Sequence, residues 1–415
     1  MFTNSVIRFA FICIFIEALS VGLIIPTLPA LLGVITSTPQ RQTIWYSSIM
    51  IAFGLTQFIF TPILGHLSDK FGRRPVLLIG TLGLGITYLI PAMSNDPFSI
   101  LLSRCIAGFL AANIVVAQAC ITDQTLPEKR TEYFGKMGAT FGVAFIFGPA
   151  IGGLLGRISL HLPFYCASIL SFLNFIIGFF SLPLRRKNNT PTLTLPQKLN
   201  PFSPLISMLK NSQLAPLLIA IFFYTLSQSI IQVTWAIYTE NRYQWSSADI
   251  GCSLFLLGAT ITCIQAILLP KLLRHFASKT ICLLALLTAL ISLIGIAFST
   301  QGVTAILFLC TFASIGMTGP ILQGAISQLS HREQQGSHLG VIASLSSLTR
   351  AISPFLGAPL LLYTHTNSTS YLAGLPYLVG ALLLCFAFTM IYRTHKLPQK
   401  KSGESIINSS DLINS

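Results

Sequence analysis

Residues 44–94 read IWYSSIMIAFGLTQFIFTPILGHLSDKFGRRPVLLIGTLGLGITYLIPAMS. Two apolar runs, each long enough to cross a hydrocarbon core of ~30 Å as a helix, flank a short polar loop from Gly65 to Pro75. The loop holds Asp69 and the cations Lys70, Arg73 and Arg74. The same alternation extends in both directions. Apolar runs predict helices over residues 7–33, 44–68, 76–94, 98–122, 134–158 and 163–183. A second set follows over 213–238, 247–270, 280–299, 303–328, 337–363 and 374–393. Of the 415 residues, 53% are hydrophobic and only 9% charged, with a mean hydropathy of +0.75. A water-soluble domain carries about 25% charged residues. The expectation is an all-α polytopic membrane protein of twelve transmembrane helices, with the lipid bilayer as its solvent.

The net charge of +14 would suit a nucleic-acid ligand if it were gathered in one patch. Threaded through the twelve spans it is one-sided instead. On the side of the N-terminus lie 19 Lys and Arg, from Arg8, Lys70, Arg73 and Arg74 through Lys129, Arg130 and residues 185–187 to Lys400 and Lys401. The opposite loops hold 3: Arg41, Arg157 and Arg242. The positive-inside rule then puts both termini in the cytoplasm and accounts for the basic excess with no nucleic acid. The first apolar run is longer than the ~15-residue core of a signal peptide and contains Glu17, so a retained helix is expected. All 9 cysteines fall within spans and read as small apolar residues. No metal-spaced His/Cys set, no Gly-x-x-x-x-Gly-Lys-Ser/Thr loop and no Gly-x-Ser-x-Gly elbow occurs. Neither an ATP-driven pump nor an enzyme is expected, and no cofactor.

The longest polar, proline-rich stretch is 184–212, between the sixth and seventh spans. It predicts a linker joining an N-terminal half (1–183) to a C-terminal half (213–395), with a polar tail over 396–415. The halves align with each other. Phe134-Gly135 matches Leu339-Gly340, Glu128 matches Glu333, and Gly148-Pro149 matches Ser353-Pro354; 340 − 135, 333 − 128 and 353 − 148 all give 205. Parallel repeats in a membrane protein predict two units rocking about a site near the midplane of the bilayer.

The loop Gly65-His66-Leu67-Ser68-Asp69-Lys70-Phe71-Gly72-Arg73-Arg74-Pro75 has a physical reading of its own. Glycines permit a tight turn between spans, and the cations anchor it at the inner face. Three other stretches stand out: Arg104-Cys105-Ile106-Ala107-Gly108 in the fourth span, Asp123 at its end, and Gly148-Pro149-Ala150-Ile151-Gly152-Gly153 in the fifth. By these motifs the chain resembles the major facilitator superfamily over nearly its whole length, and most of all the tetracycline/proton antiporters and related drug exporters. One departure is Ala144, where the exporter pattern has glycine. The resemblance implies that Gly65, Asp69, Gly72, Arg73 and Arg74 form a gate latch, with Asp69 docking near residues 336–338 and Arg73 pairing with Asp123. The repeat partner of that loop has Leu273 in place of the acid, so one latch is expected. Gly148, Pro149, Gly152 and Gly153 match the exporter motif, with a role in close helix packing or in transport direction.

Charge inside the membrane is costly, ~2.5–3.5 kcal/mol at the centre of a span. Of the acidic residues only Glu17 lies deep in a predicted helix, which makes it the expected proton-coupling group. Its depth is roughly 15 Å from one end, and that of Arg104 roughly 21 Å at 1.5 Å per residue. The difference is bridgeable by an arginine side chain, so Glu17 and Arg104 are expected to pair, as a switch or as a static ion pair. Arg350 is the other embedded cation, with no acidic partner apparent in the sequence.

In tetracycline exporters further acids stand in the third and ninth spans; the positions here are Thr87 and Ala289, which leaves less negative charge for a cationic or magnesium-bound substrate. On the seventh span Gln228, Gln232 and Trp235 share a face at i, i+4 and i+7. On the fourth, Gln118 lies about 40° from Arg104 and Asn113 nearly opposite. Gln57, Gln265 and Gln323 are isolated amides in other spans. Each amide suits either a substrate or a neighbouring helix. The combined expectation is a monomeric secondary transporter of the inner (plasma) membrane that exports a drug-like, amphipathic small molecule in exchange for protons. Export of an endogenous metabolite such as a siderophore, and import of a nutrient or siderophore, share the same architecture.

Overall fold

The computed structural model describes residues 2–111, 113–125, 130–182, 208–329, 335–365 and 374–394. Within them the chain forms helices α1 (Phe2–Ile24, resuming as Leu28–Ile35), α2 (Pro39–Phe71), α3 (Arg73–Met93), α4 (Pro97–Leu110, resuming as Asn113–Gln124), α5 (Arg130–Ile158) and α6 (Leu162–Ser181). Then follow α7 (Ala215–Tyr243), α8 (Ser247–His275), α9 (Ser278–Phe298), α10 (Gly302–Leu329), α11 (Gln335–His365) and α12 (Leu375–Arg393). All but α11 are apolar and long enough, among the described residues, to cross a membrane; these are 11 spans. The twelfth, α11, is 31 residues long. The twelve helices follow the expected order, and 11 of them qualify as spans. Most of the linker expected over 184–212, and the tail over 396–415, lie outside the described residues.

Two helices extend beyond their apolar runs. α2 begins at Pro39 because Thr38 caps it, its hydroxyl accepting the Arg41 N–H at 3.4 Å, and because proline suits the first helical turn. α7 runs on to Tyr243 and stops where Gln244 turns left-handed (φ 56°) with its N–H on the Thr239 carbonyl. In both cases polar turns outside the apolar run are held by caps together with the burial of Gln42, Thr43 and Thr239.

Two breaks obey the sequence repeat. α4 is interrupted at Ala111, whose N–H bonds the Gly108 carbonyl in a tightened turn. α10 tightens into a 3₁₀ turn over Ala313–Met317. The offset 316 − 111 is again 205. In α10 the freed Gly316 carbonyl accepts the Gln265 amide at 2.7 Å, reaching over from a single π turn, Ile264–Leu268, in α8. Gln265 therefore serves the helix-bonding alternative left open by the sequence.

Helices α1–α6 pack as one set and α7–α12 as another, with α5 against α8 and α2 against α11 as the main contacts between them. The outer faces of α3, α6, α9 and α12 expose Ile79, Ile86, Leu173, Ile176, Leu287, Ile291, Leu382 and Phe386. Apolar rows of this kind on a helix that buries its other side are the lipid-facing surface of a membrane bundle. The two sets meet most closely at the end of the bundle where α1 gives way to α2. There Tyr46 donates to the Val233 carbonyl at 2.9 Å, Gln42 donates to Glu240 at 3.0 Å and to the Pro29 carbonyl at 2.9 Å, and Arg157 lies 3.6 Å from Asp249.

Candidate functional site

The loop at the opposite end, between α2 and α3, is braced by its arginines. Gly72 has φ +99°, a conformation in which a side chain is strained, and this sharp turn places Arg73 and Arg74 at the start of α3. Arg73 reaches Asp123 at the end of α4 (Nε to Oδ2 3.1 Å) and donates to the Ser68 hydroxyl at 2.6 Å. Arg74 donates to the Phe179 carbonyl of α6 at 2.8 Å and lies over that residue's ring. Gly65, by contrast, has no neighbour among the described residues within 4 Å of where a Cβ would lie. The Asp69 side chain and those of residues 336–338 lie outside the described residues, so the expected docking between them falls there too.

The glycines of the fifth span divide their labour between two neighbours. A Cβ on Gly148 would lie 2.8 Å from Gly22 Cα, and one on Gly152 would run into the Leu23 carbonyl, both on α1. A Cβ on Gly153 would lie 2.9 Å from Ala248 Cα and 2.5 Å from the Ser247 carbonyl, and Pro149 turns its own carbonyl onto Gly251. Ser247, Ala248 and Gly251 belong to α8. α5 is thus clasped without spacers between α1 of its own half and α8 of the other, at the end of the bundle where the halves are in contact.

Glu17 sits on α1 with 7% of its surface exposed, and its Oε1 meets no donor. Arg104, on the first segment of α4, is equally buried, and its Nε and Nη2 are without acceptors. The two were expected to pair, and they form no ion pair with each other. Arg104 lies instead over the ring of Tyr88 on α3, 5.0 Å from its centroid, a cation–π contact. Asn113 lies near the Glu17 carboxyl, with its Nδ2 donating to no acceptor. The break at Ala111 explains the difference, because uninterrupted helical arithmetic places Asn113 opposite Arg104 and away from such a role. Gly80 clears the space: a Cβ there would collide with the Asn113 amide. Tyr88 senses both charges, lying close enough to interact electrostatically with Glu17 and with Arg104. Tyr88 and Asn113 are thus the residues the sequence reading missed, although an asparagine and a tyrosine inside apolar spans were visible. Gly108 completes the motif by letting α4 close on the Phe53–Thr56 turn of α2.

The expected substrate face on α7 is only partly realised. Gln228 is half-buried and Gln232 exposed. Trp235 is a correction: it is 0% exposed, its indole N–H donates to Ser253 of α8 at 2.9 Å, and its ring packs edge-on to Trp245 and Tyr377. It holds α7 to α8 and α12. Gln57 and Gln118 are half-buried and Gln323 is exposed on α10, beside Gly324, which faces open space.

This architecture, two sets of six helices in contact at the α1–α2 end with buried charge inside, is that of a membrane transporter. The Major Facilitator Superfamily model matches residues 10–354, and the chain belongs to that superfamily. It is 31% identical over 395 residues to the tetracycline resistance protein, class H, of Pasteurella multocida, covering 95% of this chain and 96% of that one. It is 34% identical over 368 residues to the class C protein of Escherichia coli (89% and 91%), and 26% identical over 403 residues to the quinolone resistance protein NorA of Staphylococcus aureus (96% and 100%). Among solved structures, the human organic anion transporter MFSD10 superposes with a TM-score of 0.68 at 22% identity, covering 94% of this chain and 99% of the other. The nucleoside transporter NupG gives 0.67 at 14% identity, covering 94% and 99%. These two likenesses speak to the fold.

Proposed function

We propose that the protein is a proton-coupled exporter of drug-like, amphipathic small molecules in the inner (plasma) membrane, with both termini cytoplasmic. The observation that carries the reading is Glu17, a lone carboxyl deep in a membrane helix, in a chain whose relatives of similar length are named for drug resistance. The positive-inside distribution sets the orientation: the α2–α3 loop faces the cytoplasm, and the closed α1–α2 end faces outward. Transport then alternates between this arrangement and one in which Tyr46–Val233, Gln42–Glu240 and Arg157–Asp249 part. Glu17 takes up or releases a proton as the neighbouring donors, Asn113 among them, move relative to it. The test is accumulation of fluorescent amphiphiles and of tetracycline in cells expressing the protein. Lower accumulation that a protonophore abolishes is the expected result; unchanged accumulation of every compound overturns the reading.

The loop arginines latch the cytoplasmic end in this scheme. The Arg73–Asp123 pair is partly exposed, 24% and 49%, so its contribution to stability is below about 1 kcal/mol. Asp123→Asn should leave thermal unfolding nearly unchanged while lowering turnover several-fold, and exchanging the two charges (Arg73→Asp with Asp123→Arg) should restore part of the rate. Unfolding at markedly lower temperature with unaltered turnover would make the pair structural only.

A further inference from the structure

Three charged side chains lie deep in the spans, and two of them, Glu17 and Arg104, are buried. The third, Arg350, is exposed although it stands midway along the 31 residues of α11. Exposure there means lipid or an internal space, and the packing of α11 decides between them. Ala351 rests on Gly54 of α2, and Gly357 rests on Thr234 of α7. Arg350 precedes Ala351, and its own carbonyl would also lie 3.5 Å from a Cβ on Gly54; its guanidinium is accessible yet surrounded by protein, which places it in the wedge at the α2–α11 seam. That wedge closes at the level of Gly357, where Tyr46 of α2 bonds Val233 of α7. Arg350 lies about 10 Å below the closure at 1.5 Å per residue. It therefore faces the space between the two halves. Gln232 is also exposed on α7, next to Val233, whose carbonyl meets α2.

The guanidinium has five N–H donors, and the acceptor it meets is the Ser346 carbonyl one turn back on its own helix, at 3.3 Å. No carboxylate of the described residues reaches it. Nor do the third and ninth spans supply acid to the interior: Thr87 is buried with its hydroxyl on the Leu84 carbonyl, and Ala289 is fully buried. An uncompensated cation at this depth is costly, and a planar fork of donors is suited to a carboxylate.

We propose that Arg350 anchors the anionic group of the transported molecule, so that the substrates are amphiphiles carrying a carboxylate or an acidic enol rather than lipophilic cations. This rests on the export reading and narrows its substrate class. The carboxylate takes a two-pronged hydrogen bond from the guanidinium, Gln228 and Gln232 orient the polar remainder from α7, and the apolar body lies along the wedge.

Three probes that share one fluorophore test it: dansylglycine (anionic), dansylamide (neutral) and dansylcadaverine (cationic), titrated into the purified full-length protein at neutral pH. Dansylglycine should bind at least about tenfold more tightly than dansylcadaverine, the size expected for hydrogen bonds to a charged group. Arg350→Gln should erase that preference while dansylamide still binds as before, which also certifies the fold, and Arg350→Lys should keep part of it. Wild-type protein that binds dansylglycine no better than dansylcadaverine, or Arg350→Gln that keeps the wild-type preference, overturns the proposal. Proton-gradient-driven uptake of the same probes into inside-out vesicles separates the two readings. Anion preference in binding with no uptake of any probe overturns export and leaves the anchor standing. Driven uptake that favours the cation overturns the anchor and leaves export standing.

Discussion

Glu17→Gln should leave the protein able to equilibrate its substrate across a membrane and unable to concentrate it. The amide keeps the shape of the side chain, and it removes the one titratable carboxyl in the depth of the N-terminal half. Coupling requires a group whose charge differs between the two states of the transporter. Glu17 has one oxygen without a donor, so its charge is neutralised either by a proton or by a donor that motion brings to it. An amide needs neither. In inside-out vesicles under a proton gradient, the concentration ratio reached by the variant should collapse to unity, while exchange of labelled for unlabelled substrate persists. A variant that still accumulates substrate uphill places the coupling proton elsewhere.

The second large effect belongs to the fifth helix. At Gly152 any side chain meets backbone, since its Cβ would lie 2.6 Å from both the Leu23 C and Cα atoms and closer still to the carbonyl oxygen. Backbone cannot rotate aside as a side chain can. Gly152→Ala should cost about 1–3 kcal/mol of stability, the usual penalty of overpacking, and Gly152→Val should prevent α1 and α5 from closing at all. Gly153→Ala faces α8 instead, so it should spare the N-terminal half and disfavour the closed α1–α2 end. The contrast is measurable as thermal stability for Gly152 variants against cysteine accessibility from the outer side for Gly153→Ala. Equal behaviour of the two would mean that α5 does not divide its contacts between the halves during transport.

The order of the helices was legible because a membrane leaves few choices: a run of apolar residues of sufficient length crosses as a helix. Their ends were less so, as at Thr38 and Gln244, where caps as well as burial determine the boundary. In the site, the pairing of Arg73 with Asp123 followed from its motif, and Glu17 stood out by scarcity. Its surroundings did not. The position of Asn113 depends on an interruption at Ala111 that no proline or glycine at that residue announces, and helical arithmetic carried across it gives the wrong face. Trp235 was misread for a different reason: a face shared in angle is not shared in depth of burial, and its indole had a partner in Ser253 on the next helix.

The two matched interruptions also differ in compliance. In α10 the loosened carbonyl of Gly316 is tied by the Gln265 amide, a cross-brace between adjacent helices that stiffens the C-terminal half. At Ala111 the corresponding turn is closed within α4 itself. Under the export reading, rocking of the halves would concentrate flexure in α4. Asn113 begins the segment just beyond that joint, and it lies near Glu17. Under the proposed exchange, a bend at this joint would carry Asn113 with it and so change the surroundings of the Glu17 carboxyl, linking mechanical strain to proton occupancy.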